Sequence, residues 1–212
     1  MNGRFFDIRR QVVDACLRLA GQGFLAGTGG NVSLRCDEGH FAITPSGVDY
    51  YSMSAEDICV VEVDTLEVVA GERRPSVESG LHAEMLRFRH DASAVIHTHQ
   101  PLASAVALLN VPIPIEDDAA RRLLGDVIDV VSYAPSGTKL LVRALRKQLR
   151  YNVNAYTLRN HGLICCGSSM TSALETVEAA ERAASRFLWN AIERRGAASE
   201  LAAFALASLR QT

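Results

Sequence analysis

Residues 94–106, Ala94-Val-Ile-His97-Thr-His99-Gln-Pro101-Leu-Ala-Ser-Ala-Val106, decide the architecture. The apolar start predicts a buried strand over Ala94–His99. Pro101 then opens a helix over Pro101–Leu109, since the first helical position has no use for an N–H. Side chains two apart on a strand share a face, so His97 and His99 point the same way at the strand's end. That spacing suits two adjacent ligands of one cation. It equally describes a strand that ends in polar residues at the surface.

Downstream, Val127–Tyr133 reads as a strand and Thr138–Arg150 as an amphipathic helix carrying Leu141, Leu145 and Leu149. Ala155–Arg159 and Leu163–Cys166 read as strands flanking Asn160-His161-Gly162. Ser172 with Glu175 forms a capping box ahead of a long helix, roughly 173–195, with Leu174, Val177, Ala184 and Phe187 inward. An Ala-rich helix over about 199–209 follows. Upstream, a helix over 5–21 repeats Ile8, Val12, Cys16 and Leu19 on one face, and a glycine-rich stretch leads to a strand, Val32–Arg35. A turn at 37–39 and a strand Phe41–Thr44 complete a hairpin, Ile58–Val63 is a further strand, and Leu81–Arg89 a helix. Short strands joined by tight turns and mixed irregularly with helices predict one α/β domain over 1–212, with a mixed or antiparallel sheet. Gly27-Thr-Gly-Gly-Asn31 precedes a strand instead of opening a helix, which argues against a dinucleotide-binding fold.

The chain has 212 residues, 48% hydrophobic and 22% charged, a globular composition. With 22 Lys and Arg against 24 Asp and Glu the formal charge is −2, so no basic excess exists to follow a nucleic acid backbone. No apolar run reaches the roughly 18 residues of a membrane helix. Asp7, Arg9 and Arg10 precede any apolar stretch, unlike a signal peptide. Five cysteines without framework spacing read as reduced thiols, which points to the cytoplasm.

His161 is a third candidate ligand, beside a glycine that suits a tight turn or a close backbone approach. Alone it equally reads as a hydrogen-bonded turn histidine. Three histidines and a carboxylate would make a site for Zn²⁺ or a similar cation. Glu78, in Pro75-Ser-Val-Glu78, is the natural carboxylate, although acidic residues are favoured at helix starts by the dipole alone. His82 follows Glu78 by one turn, in position to orient it, while His40 and His90 lack partners at ligand spacing. Gly29-Gly30-Asn31, Ser46-Gly47 and Ser76 lie in loops of the kind that hold an anion with backbone N–H groups, and each is also an ordinary turn. Ser136-Gly137-Thr138 has the same composition, which capping of the next helix explains.

In this order, GTGGNVSLR (27–35), ITPSGVDY (43–50), PSVESGLHAEML (75–86), AVIHTHQPLASAV (94–106) and LRNHGLI (158–164) resemble the class II aldolase/adducin family. The resemblance implies a three-layer α/β/α sandwich around a mostly antiparallel central sheet. It implies Zn²⁺, or another divalent cation, on His97, His99 and His161. Glu78 would ligate the metal and then leave it as general acid/base. Gly30, Asn31, Ser46, Gly47 and Ser76 would hold a substrate phosphate. The family's active sites lie between subunits of a homotetramer. The implied activity is retro-aldol cleavage of a small phosphorylated sugar through a metal-stabilised enediolate. Burial against apolar neighbours would raise the Glu78 pKa and suit it to proton exchange on carbon.

Three features depart from the family pattern, one of them the lack of the tyrosine that some members contribute to a neighbouring subunit from the C-terminal tail. Val77 stands where the family has a second serine, so only its N–H can serve a phosphate. The aldolases' aromatic proton donor is absent, and Glu116-Asp117-Asp118 occupies its place, with Asp118 the nearest substitute or the cluster a solvated loop. Decarboxylation of a phosphorylated 3-oxo acid is the main alternative. Dehydration or epimerisation of a ketose phosphate and a non-catalytic adducin-like module are the others within the family. Two histidines and a carboxylate would also suit a redox iron enzyme, against which the third histidine argues.

Overall fold

The computed structural model describes residues 5–194. Helix α1 (Phe6–Gly21) leads through the glycine-rich loop to strands β1 (Asn31–Arg35), β2 (His40–Ile43), β3 (Cys59–Glu62) and β4 (Val68–Ala70). Helix α2 (Ser79–Phe88), strand β5 (Ala94–Thr98), helix α3 (Pro101–Leu109), strand β6 (Ile113–Pro114) and helix α4 (Asp118–Leu124) follow. Strand β7 (Val127–Val131), helix α5 (Lys139–Gln148), strands β8 (Ala155–Leu158) and β9 (Gly162–Gly167), and the long helix α6 (Met170–Arg194) complete the described chain.

The nine strands form one sheet in the order β4-β3-β2-β1-β5-β9-β8-β7-β6. Every neighbouring pair is antiparallel except β7 and β8. Strand β5, the decisive stretch of sequence, lies at the centre and is buried throughout. Alternation along it separates two cores. Ala94 and Ile96 face α1, α3, α4 and α6, with Val12, Leu19, Val106, Leu124 and Val177. Val95 packs on the other side with Leu81, Met85, Leu141 and Leu145 from α2 and α5. The result is the expected α/β/α sandwich with a mostly antiparallel sheet.

Several boundaries differ from the sequence reading. Helix α6 begins at Met170, and Ser169 Oγ accepts from the Ser172 N–H at 3.1 Å. Ser169 therefore caps this helix, and Ser172 lies inside it. The reason is packing: Met170 is itself buried, which draws the first turn down onto the sheet. Strands β4 and β6 and helix α4 lack a strong periodic signal and were not expected. The Ala-rich segment 199–209 lies outside the described residues. No described helix is long and apolar enough to cross a membrane.

Candidate metal and substrate site

The same antiparallel order gathers the candidate loops at one end of the sheet. Asn31 opens β1 and pairs with His97 near the end of β5, while Thr98 pairs with Leu163 at the start of β9. The β8–β9 turn contains Asn160 at φ +57°, a left-handed conformation that asparagine tolerates, and delivers His161 beside them. The backbone must come close here. A Cβ on Gly162 would lie 2.4 Å from Thr98 O and 2.8 Å from His99 Cδ2. Gly30, at φ +86°, likewise lies against the His97 carbonyl, where a Cβ would be 2.7 Å away. The buried Tyr50 hydroxyl ties that loop down through the carbonyls of Gly29 and Gly30, at 3.1 and 2.6 Å.

His97, His99 and His161 converge, their candidate ligand atoms all within 4.8 Å of one another. His97 is fully buried, and its Nδ1–H donates to Leu163 O at 2.8 Å, which leaves the Nε2 lone pair facing the cluster. Nε2 of His97 and Nε2 of His99 are 3.1 Å apart. Four-coordinate zinc at 2.0–2.1 Å from each nitrogen would set them about 3.3 Å apart. The donor set and spacing therefore fit a divalent cation.

Glu78, 6% exposed at the N-terminus of α2, completes the cluster. Its oxygens lie 3.3 Å from His97 Nε2 and 3.5 Å from His161 Nε2. They also accept hydrogen bonds from Asn31 Nδ2 at 2.9 Å and Ser136 Oγ at 2.7 Å. Burial pushes the Glu78 carboxyl up, but the His97 ring and the Asn31 and Ser136 donors outweigh it. The net direction is well below the usual carboxylate range, which corrects the expectation of a raised pKa. Burial pushes His97 down to about 4 against the pull of Glu78, so this ring is neutral at pH 7. The hydrogen bonds donated by Asn31 and Ser136 lower Glu78 whether or not that ring is charged. Burial also lowers His99, and neutral imidazoles are the form that ligates metal.

The loops expected to hold an anion come together beside this cluster. Ser46 N–H donates to Arg74 O at 2.8 Å and Ser76 N–H to Thr44 O at 3.1 Å, so the PSG and PSV loops run side by side. Ser76 Oγ accepts from the Glu78 N–H at 3.2 Å, which leaves its hydroxyl proton to donate. Ser136 belongs to the site too, which the reading of its loop as a helix cap did not anticipate. Thr138 alone caps α5, accepting from Leu141 N–H at 3.3 Å. The Ser-Gly dipeptide that Ser136 shares with Ser46 was the available signal.

Asp118 is not among the residues brought together. It starts α4 in the opposite helical layer, its side chain 85% exposed and 2.9 Å from Arg121. Asp117 caps the same helix, accepting from Ala120 N–H at 2.8 Å. Within one chain neither joins the histidines.

Three convergent histidines and a carboxylate at the end of a mostly antiparallel sandwich make a donor set that can hold a metal ion. The profile of the class II aldolase and adducin N-terminal domain matches residues 10–188, and the chain belongs to that family. It is 34% identical over 177 residues to a 5-deoxy-D-ribulose 1-phosphate aldolase of Bacillus thuringiensis, covering 82% of this chain and 80% of that one. It is also 34% identical over 167 residues to an L-fuculose phosphate aldolase of Escherichia coli, covering 79% and 76%. A solved L-fuculose 1-phosphate aldolase structure matches with a TM-score of 0.79 at 28% identity, over 96% of both chains.

Proposed function

We propose that this protein is a zinc-dependent lyase that cleaves a small phosphorylated sugar by retro-aldol reaction. The observation that carries the reading is the convergence of His97, His99 and His161 on one point, with Glu78 held beside them. His97, His99 and His161 would hold the cation, whose Lewis acidity makes an enediolate accessible at neutral pH. Glu78, hydrogen-bonded by Asn31 and Ser136, takes up the proton released from the hydroxyl of the carbon that leaves as the aldehyde and gives a proton to the carbon freed by cleavage. The hydroxyls of Ser46 and Ser76, with the peptide groups of Gly30, Asn31, Gly47 and Val77, receive the phosphate. This fixes the substrate by a group remote from the reacting carbons, so that orientation precedes chemistry. Asn31 serves both ends, since its amide nitrogen has a second N–H beyond the one given to Glu78.

The same reading makes the protein a cytoplasmic homotetramer with active sites between subunits. The buried thiols of Cys16, Cys59, Cys165 and Cys166 suit a reducing compartment, and Asp118, exposed on α4, would meet a histidine cluster only if it were another subunit's. The test uses protein loaded with Zn²⁺, Co²⁺ or Mn²⁺, incubated with L-fuculose 1-phosphate and 5-deoxyribulose 1-phosphate. Release of dihydroxyacetone phosphate, lost together with bound metal in His97→Ala, is expected. Protein that holds no divalent ion, with activity unaffected by His97→Ala, would overturn the proposal.

A further inference from the structure

We propose that His82 is a positioning residue for the reaction: its Nε2–H fixes which way the Asn31 amide faces and so aims a donor at Glu78. The inference rests on the reading of Glu78 as the group that exchanges the proton. It adds a residue that reaches the carboxylate only through Asn31.

The argument follows hydrogen atoms outward from the carboxylate. An ionised Glu78 can only accept, so the atom of Asn31 that lies 2.9 Å from its Oε2 must be the amide nitrogen. Asn31 Oδ1 then faces the other way, 2.5 Å from His82 Nε2. A carbonyl oxygen can only accept, so Nε2 carries a hydrogen. His82 is completely buried on α2, one turn beyond Glu78, and burial pushes its pKa down to about 3, so the ring has a single N–H at neutral pH. With that hydrogen on Nε2, Nδ1 is a lone pair and accepts from Ser33 Oγ at 2.7 Å. Val95 O, the other acceptor beside that hydroxyl among the described residues, is more distant at 3.4 Å. Every hydrogen therefore points one way, from Ser33 to His82 to Asn31 to Glu78.

Reversing any member breaks the chain. With the ring hydrogen on Nδ1, Nε2 and Asn31 Oδ1 would meet as two acceptors. The amide would have to turn over, setting its oxygen against the carboxylate. Here both ring nitrogens are engaged, and the series ends on the reactive carboxylate.

The test has a spectroscopic arm and a kinetic arm. Nitrogen-15 NMR of the metal-free and zinc-loaded wild-type protein at pH 7 should show His82 as the Nε2–H tautomer with Nδ1 unprotonated. The Nδ1–H tautomer, or an imidazolium, overturns the proposal. In the kinetic arm, cleavage of L-fuculose 1-phosphate or 5-deoxyribulose 1-phosphate is compared in His82→Leu and His82→Gln. His82→Leu should lower kcat about 10–100-fold, the usual scale for an outer group that orients a reactive one, with KM changed less than about threefold. His82→Gln restores an N–H donor towards Asn31 and should recover most of that loss. Wild-type kcat in folded His82→Leu, or equal losses in both variants, overturns the positioning role. If the wild type cleaves neither substrate, the functional reading fails, while the tautomer measurement still decides the direction of the chain. Should His82→Leu fail to fold, the tautomer and His82→Gln carry the test.

Discussion

Replacing Gly162 with alanine drives a methyl group into the histidine cluster. The new Cβ would lie 2.4 Å from Thr98 O, 2.8 Å from His99 Cδ2 and 3.3 Å from His97 Cε1. An unstrained carbon–oxygen contact is about 3.3 Å or longer, so the chain around Thr98 must move by about 0.9 Å. Neither obstacle is the free end of a flexible side chain. One is backbone of the central strand, and the other is a ring whose neighbour His97 is tied to Leu163 O. Overpacking of this kind costs about 1–3 kcal/mol, or a Tm lower by about 3–10 °C for a domain of this size. The effect on the site should be larger than the effect on the fold. Metal sites tolerate errors of about 0.2 Å in ligand distance, so a displacement several times that should weaken binding by at least about tenfold. Zinc affinity measured against a chromophoric chelator, alongside thermal unfolding of the metal-free protein, separates the two effects. Gly162→Ala protein that binds zinc as tightly as wild type would refute the account of why a glycine stands at this position.

Two further outcomes follow from buried charge and polarity. His82 is held neutral by burial at about 3 in the folded protein, against about 6.5 when unfolded. As pH falls below about 6.5 the unfolded chain takes up a proton that the folded one does not. Stability is then lost at up to about 1.4 kcal/mol per pH unit, or about 2 kcal/mol by pH 5. His82→Gln lacks this titration, so urea unfolding of the two metal-free proteins from pH 7.5 to 5 should differ by one proton in slope; parallel curves would contradict the assignment. Glu181, on α6, accepts from the N–H groups of Leu102 at 2.8 Å and Ala103 at 2.9 Å and so caps α3 from a distance. Glu181→Ala should cost about 2–3 kcal/mol in urea unfolding, because it strands amide donors at a buried helix start, and a loss below about 0.5 kcal/mol would argue against the cap.

What the sequence made legible was the periodic part of the molecule and the histidines. Strand β5 could be read because apolar residues fill both of its faces and proline marks the next helix. His97 and His99 followed from a spacing of two, a local rule. The partners of Glu78 were harder, because hydrogen bonding depends on which loops the sheet order brings together. Asn31 and Ser136 lie 47 and 58 residues from Glu78 and meet it only after β1, β5 and the loop before α5 share one sheet end. The resemblance assigned Asn31 to phosphate, and nothing in the sequence signalled that its side chain also gives one N–H to Glu78 and turns its oxygen to His82. The sign of the Glu78 pKa shift was missed for the same reason. Burial can be read from apolar neighbours, but donors arriving from distant loops cannot. Strand β6, two residues long with a proline, and the seven-residue helix α4 were too short to carry a period.

The pairing of β5 with β9 has a consequence for how the sheet finds its alignment. His97 and His99 belong to one side of that pair and His161 to the other, with Thr98 opposite Leu163. A slip of one residue would turn one set of rings to the wrong face of the sheet. A slip of two would carry them about 6.7 Å along the strand, beyond the 4.8 Å within which the three donors now meet. Only the native alignment presents three nitrogens together, and every misaligned sheet presents two at most. A cation bound by all three would therefore act as a proofreader, stabilising the correct strand alignment by its binding free energy and leaving the slipped ones unaided.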